Sequence, residues 1–123
     1  MTASNKARTR RGQDTQNAVA AWFRSKYWPF AESTGSGRSG SDITGMPGLA
    51  CEVKARRDFS PLAWIRQAST EDGLPFVVHR PDGIGTASIC MWPVTLPLDV
   101  FTELLHAAGY GTSPPQLEAE ETQ

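Results

Sequence analysis

SDITGMPGLACEVKAR, residues 41–56, holds two short runs of strand-forming residues around a GMPG turn. Asp42 to Thr44 and Leu49 to Lys54 read as two antiparallel strands, with the turn at residues 45–48. Alternate residues of a strand share a face, so Glu52 and Lys54 point one way and Cys51 and Val53 the other. The apolar pair belongs in a core and the charged pair along a cleft. Asp42 and Glu52 are symmetric about Pro47, so the hairpin register sets them opposite each other. Directly opposed residues share a face, with Cβ atoms about 5 Å apart. Two carboxylates and an ammonium then converge on one spot.

Outward from this hairpin, DTQNAVAAWFRSK, residues 14–26, reads as a helix. Asp14 caps it, and Gln16, Val19, Ala20 and Phe23 fall on one face. Trp28 to Glu32 reads as a short strand, followed by the Gly/Ser loop STGSGRSGS, residues 33–41. Ser60-Pro61 starts a second helix that runs to about Thr70. Phe76 to His79 and Ala87 to Trp92 are expected strands, and Leu98 to Ala108 a last helix stopped by Gly109. The order predicts an α/β fold, a two- or three-layer sandwich with a central mixed sheet flanked by helices. Residues 1–11 are expected to be a basic flexible arm, 12–110 the folded domain and 111–123 an acidic disordered tail.

Composition narrows the class. With 123 residues and 39% hydrophobic content the chain supports one modest core. It holds no apolar run of the ~20 residues that a membrane span needs. Its basic N-terminus lacks the apolar segment of a secretory signal. The expected location is the cytoplasm (the host's, if a phage encodes the chain). Cys51 and Cys90 lie in apolar stretches and read as reduced core residues. His79 and His106 do not cluster with them as zinc ligands would. The four tryptophans suit a core or an interface better than stacking on bases. The net charge of −1 hides a split: residues 1–80 carry all 12 Lys and Arg with 7 of the 13 Asp and Glu. Such a split suits either an anionic partner, such as a phosphate backbone, or two solvated ends of opposite sign.

Two adjacent carboxylates repel, and a hard divalent cation relieves that repulsion. Mg²⁺ takes oxygen ligands, polarises a phosphodiester and lowers the pKa of a bound water. A neighbouring ammonium orients that water or stabilises developing negative charge. Asp42, Glu52 and Lys54 around Mg²⁺ are therefore chemically sufficient for phosphodiester hydrolysis. The triplet E-x-K alone arises about once per 300 positions at average composition, so it also suits a surface strand with a cross-strand ion pair.

The wider pattern, GSGRSGSDITG followed by LACEVKAR and the helical Gln67, resembles the nuclease core of the PD-(D/E)XK superfamily. More narrowly it resembles the compact archaeal and phage Holliday junction resolvases, over about residues 10–80. The resemblance implies a restriction-endonuclease-like fold, Mg²⁺ or Mn²⁺ as cofactor and a homodimer acting on branched DNA. It implies Asp42 and Glu52 as metal ligands with the Val53 carbonyl, Lys54 at the nucleophilic water and Gln67 at the catalytic site. Arg11, after Arg10 and before Gly12, matches the basic stretch that opens the family's first helix. The family's first helix also carries an acidic residue, and Gln16 stands at the corresponding position here. An amide oxygen can ligate a metal or hold its water, but without charge.

Arg38 in the Gly/Ser loop is placed either to meet a phosphate or to remain solvated, and Ser36 and Ser39 are alternative hydroxyl donors to the same phosphate. Arg56 and Arg57 either continue a basic track or are simply solvated. The expected function is a structure-selective DNA endonuclease that resolves four-way junctions. The alternatives are another nuclease of repair, replication or restriction on the same core, and a non-catalytic DNA-binding protein.

Overall fold

The computed structural model describes residues 3–35 and 40–112. In chain order the elements are helix α1 (Ala3–Arg24), strands β1 (Glu32–Ser33), β2 (Ile43–Thr44) and β3 (Leu49–Lys54), then helix α2 (Pro61–Ala68). Strand β4 (Leu74–His79), a 3-10 helix (Thr86–Met91), strand β5 (Val94–Thr95) and helix α3 (Leu98–Ala107) follow. The strands form one mixed sheet in the order β1-β2-β3-β4-β5. The central pair, β3 and β4, is parallel, and every other pairing is antiparallel.

Helices cover the two faces of the sheet, as the alternation in β3 predicts. Cys51 pairs with Phe76 and Val53 with Val78, so these four share a face. They form one core with Val19 and Ala20 of α1, Ile43 of β2 and Trp92. Glu52 pairs with Val77 on the other face, where Val77 packs against Trp64 and Ala68 of α2. The result is the α/β sandwich with a mixed central sheet that the element order implies.

Two glycines make the site-bearing hairpin possible. Gly45 has φ +78°, and a Cβ there would stand 1.9 Å from the Phe30 carbonyl oxygen. Gly73 has φ +110° and lies against the Gly48 backbone, and the next residue, Leu74, donates its N–H to the Gly48 oxygen at 2.8 Å. This bond starts the parallel ladder beside β3.

Five expectations need correction. Helix α1 begins at Ala3, so residues 3–11 are its first turns and not a flexible arm. That segment has no proline and is rich in Lys, Arg and Ala, all good helix formers. Asp14 is thus inside the helix and does not cap it. Thr15 is buried, and its hydroxyl donates to the Arg11 carbonyl at 2.6 Å. Residues 28–31 form a turn, closed by Ala31 N–H to Trp28 O at 3.1 Å, and β1 starts only at Glu32. Residues 86–91 are a 3-10 helix, with the fifth strand displaced to Val94–Thr95. Ile89 and Trp92 both pack on the core, and their three-residue spacing matches a 3-10 period better than a strand's. Cys51 is buried as expected, but Cys90 is exposed; both are free thiols. The described part of the C-terminal segment ends at residue 112, so the expected tail lies almost wholly outside it.

Candidate active site

The hairpin register is the one symmetry about Pro47 predicts: Ile43 pairs with Cys51, which sets Asp42 opposite Glu52. The Asp42 N–H donates to the Cys51 carbonyl at 3.0 Å. The Asp42 carboxylate accepts the Val53 N–H through Oδ2 at 2.8 Å. Asp42 is therefore fixed to β3 at both its backbone and its side chain.

Glu52 is only 2% exposed. Its carboxyl is pushed up to about 8, first by burial, then by a hydrogen bond to Asp42 and by the Asp42 charge. The Lys54 ammonium pulls the other way, and Glu71 adds to the rise. Burial and the neighbouring Asp42 thus favour the protonated form of Glu52, which lets the two carboxyls lie together. Burial with the charge of Asp42 nearby also raises the Cys51 thiol, which keeps it protonated and unreactive.

Lys54 is brought to the same sheet face. Its Nζ donates to Gln67 Oε1 at 2.6 Å, across from β3 to α2. Lys54 pairs with His79 on β4, and His79 packs against Trp64 and Phe59. The Lys54 carbonyl accepts the Arg80 N–H at 2.8 Å, so Arg80 lies at the same strand ends. Arg56 and Arg57 are exposed just beyond β3.

Within a strand, the N–H and C=O of one residue point to the same side. Since the Val53 N–H reaches Asp42 on the β2 side, its carbonyl faces that side too. The site thus offers oxygens from Asp42, Glu52 and the Val53 backbone, a donor set that fits a hard divalent cation. Among the described residues no three His, Cys, Asp or Glu side chains gather closely enough to hold a metal. The carboxylate donors are therefore a pair, with Glu71 near enough to act on Glu52 electrostatically.

The other expected residues are placed differently. The Gln16 amide oxygen accepts the Ser33 hydroxyl at 3.0 Å. Ser33 pairs with Ile43, which belongs to the α1 side of the sheet, so Gln16 is not brought to the carboxyl pair. Arg11 is spent within the fold: it donates to the Pro81 carbonyl at 3.1 Å and lies 3.9 Å from Asp82. Ser36, Arg38 and Ser39 lie outside the described residues.

Sequence reasoning missed Glu71 and the aromatic layer of Phe59, Trp64 and His79. Glu71 lies in the turn after α2, where no helical spacing points to it. The aromatic layer had no signal either, because its members are spread over β4, α2 and the segment before α2. Comparison with family models, with curated proteins and with solved structures finds no match to this chain.

Proposed function

We propose that this chain is a metal-dependent DNA endonuclease, most like a Holliday junction resolvase. The observation that carries the reading is the meeting of Asp42 and Glu52 on one sheet face, with Lys54 beside them and held by Gln67. Two opposed carboxyls, one of them raised by its neighbour, make a donor pair that suits a divalent cation. Asp42, Glu52 and the Val53 carbonyl would hold Mg²⁺ or Mn²⁺. The cation supplies polarisation of the phosphodiester and a more acidic water.

The protein's own residues do the rest. Asp42 is locked by the Val53 N–H, so it needs no reorganisation to present its second oxygen. Lys54, aimed by Gln67, lies beside the carboxyls and offers its ammonium to the attacking water or to the developing negative charge. Arg56 and Arg57, exposed just beyond β3, form a basic margin suited to phosphates flanking the cut, whereas the Arg80 guanidinium is held by the Ile84 carbonyl and the Thr15 hydroxyl. Gln67 acts through Lys54 and is a positioning residue.

The reading includes a homodimer, because resolving a junction takes two coordinated cuts. Helix α3 has no buried residue, and Leu98, Phe101, Leu104 and Leu105 are all exposed along it. Met91 and Val94, beside the edge of the sheet, are exposed as well. An apolar surface of this extent suits a self-complementary interface. Among the described residues no helix is long and apolar enough to cross a membrane.

A non-catalytic DNA-binding protein on the same core is the second reading. The engagement of Gln16 by Ser33, away from the carboxyls, favours it. Incubating the protein with Mg²⁺ and either a synthetic four-way junction or a linear duplex separates the readings. Resolvase action predicts paired cuts in the junction and little attack on the duplex. Equal cleavage of both points to another nuclease, and binding without cleavage in Mg²⁺ or Mn²⁺ to the non-catalytic reading.

A further inference from the structure

We propose that Phe59 is a stacking platform for an unpaired nucleobase beside the carboxyl pair, an inference that rests on the nuclease reading above. Phe59 lies in the segment between β3 and α2 and is 57% exposed. One face of its ring lies on the His79 imidazole, with centroids 5.5 Å apart and planes at 23°. Its edge meets Trp64 at 5.5 Å and 80°. His79 is fixed in turn: its Nε2 is 2.9 Å from the Arg56 carbonyl oxygen, and Trp64 stands 5.0 Å away. The space beneath is already filled by Trp64, Ala68 and Val77. Phe59 therefore cannot sink inward, and it is held as an upper layer whose outer face meets water.

The surroundings select the partner. Arg56 and Arg57 are exposed just before Phe59, with Asp58 the only acidic residue among them. An aromatic face flanked by guanidinium groups suits a base with its phosphates, since bases stack on aromatic rings and phosphates pair with Arg. An apolar protein partner would need a wider apolar field, whereas the residues preceding Phe59, Arg56 to Asp58, are all charged and exposed.

Distance supports the same partner. His79 pairs with Lys54 across parallel strands about 4.8 Å apart. Phe59 stacks on His79 in turn, so the ring lies one side chain beyond the residue that pairs with Lys54. A strand whose phosphate lies at the carboxyls thus reaches Phe59 with a base a few positions away. In continuous duplex that base is stacked and paired, whereas at a branch point it is free to turn out. Phe59 would then contribute to the choice of branched over linear DNA.

The test uses the full-length protein in Ca²⁺, so that cleavage is suppressed, and four-way junctions with 2-aminopurine at successive positions from the branch. Wild type and Phe59→Trp should quench one such position, while Phe59→Ala and Phe59→Leu should not. The latter two should bind the junction roughly tenfold more weakly, with duplex binding unchanged. Phe59→Leu keeps an apolar cover on His79 and carries the test if the alanine variant unfolds. Junction binding and quenching by Phe59→Leu equal to wild type would overturn the platform and leave the nuclease reading intact. No DNA binding by wild type would overturn both.

Discussion

Lys54 Nζ donates to Oε1 of Gln67 at 2.6 Å, joining the central strand β3 to helix α2 across the candidate site. This bond gives a long, flexible side chain one direction, beside the Asp42–Glu52 pair. Gln67 has no charge of its own to offer, so its value lies in where it holds the ammonium.

Removing Gln67 should therefore act only through Lys54. Gln67→Ala should lower the cleavage rate by roughly tenfold, about 1.4 kcal/mol of barrier. Lys54→Ala should cost more, and the double variant no more than Lys54→Ala alone. The bond is exposed, so thermal stability should stay within about 0.5 kcal/mol. Additive losses in the double variant would show that Gln67 acts independently of Lys54.

The raised Glu52 carboxyl gives the fold a pH dependence of known sign. Between the ordinary value of 4.5 and about 8, unfolding releases the Glu52 proton. Stability from the Glu52 proton is complete below pH 4.5 and is lost as pH rises through about 8. Glu52→Gln should flatten this part of the profile and melt higher than wild type at pH 9. Melts of both proteins from pH 5 to 9 check it. A wild-type profile as flat as the variant's would mean that Glu52 is already ionised.

Divalent cations should oppose that trend, because a cation replaces the Glu52 proton. Mg²⁺ should raise the melting temperature more at pH 8.5 than at pH 6, and titration in weak buffer should release protons. Asp42→Asn should abolish the rise at both pH values. A stabilisation by Mg²⁺ that does not depend on Asp42 would place the cation elsewhere.

The hairpin that carries the carboxyls depends on Gly45. A Cβ there would stand 1.9 Å from the Phe30 oxygen and would hold a φ of +78°. Gly45→Ala should destabilise the fold by about 3 kcal/mol or more, since neither backbone can retreat. Denaturant unfolding would show it. Near-wild-type stability would require a looser contact between the turn and residue 30.

The exposed face of α3 makes a prediction about assembly. Light scattering should give twice the chain mass, and Phe101→Glu with Leu104→Glu should give a monomer that keeps its fold, since neither residue is buried within one chain. A wild-type monomer would remove the dimer and, with it, the paired cuts of a resolvase.

The hairpin was legible in the sequence because strand parity and one turn determine it. Cys51 and Val53 had to enter the core, and the symmetry of Asp42 and Glu52 about Pro47 left one register. Helix α2 was equally legible from Ser60-Pro61. What escaped depended on contacts distant in sequence. Residues 3–11 look like a solvated arm until Arg11 is seen to reach Pro81 and Asp82. Gln16 shares a helix face with Val19, and sequence alone does not show that Ser33 takes its amide oxygen. Residues 86–91 suit a strand by composition, but the shared burial of Ile89 and Trp92 draws them into a tighter coil.

The most direct measurement compares DNA cleavage by wild type and by Asp42→Asn, with Mg²⁺ and with the cation chelated, under conditions where both proteins are folded. The account predicts cleavage of a four-way junction by wild type in Mg²⁺ alone, and none by Asp42→Asn in either condition. Equal cleavage by the variant, or cleavage that persists in chelator, would contradict the assignment of the Asp42–Glu52 pair as the active site.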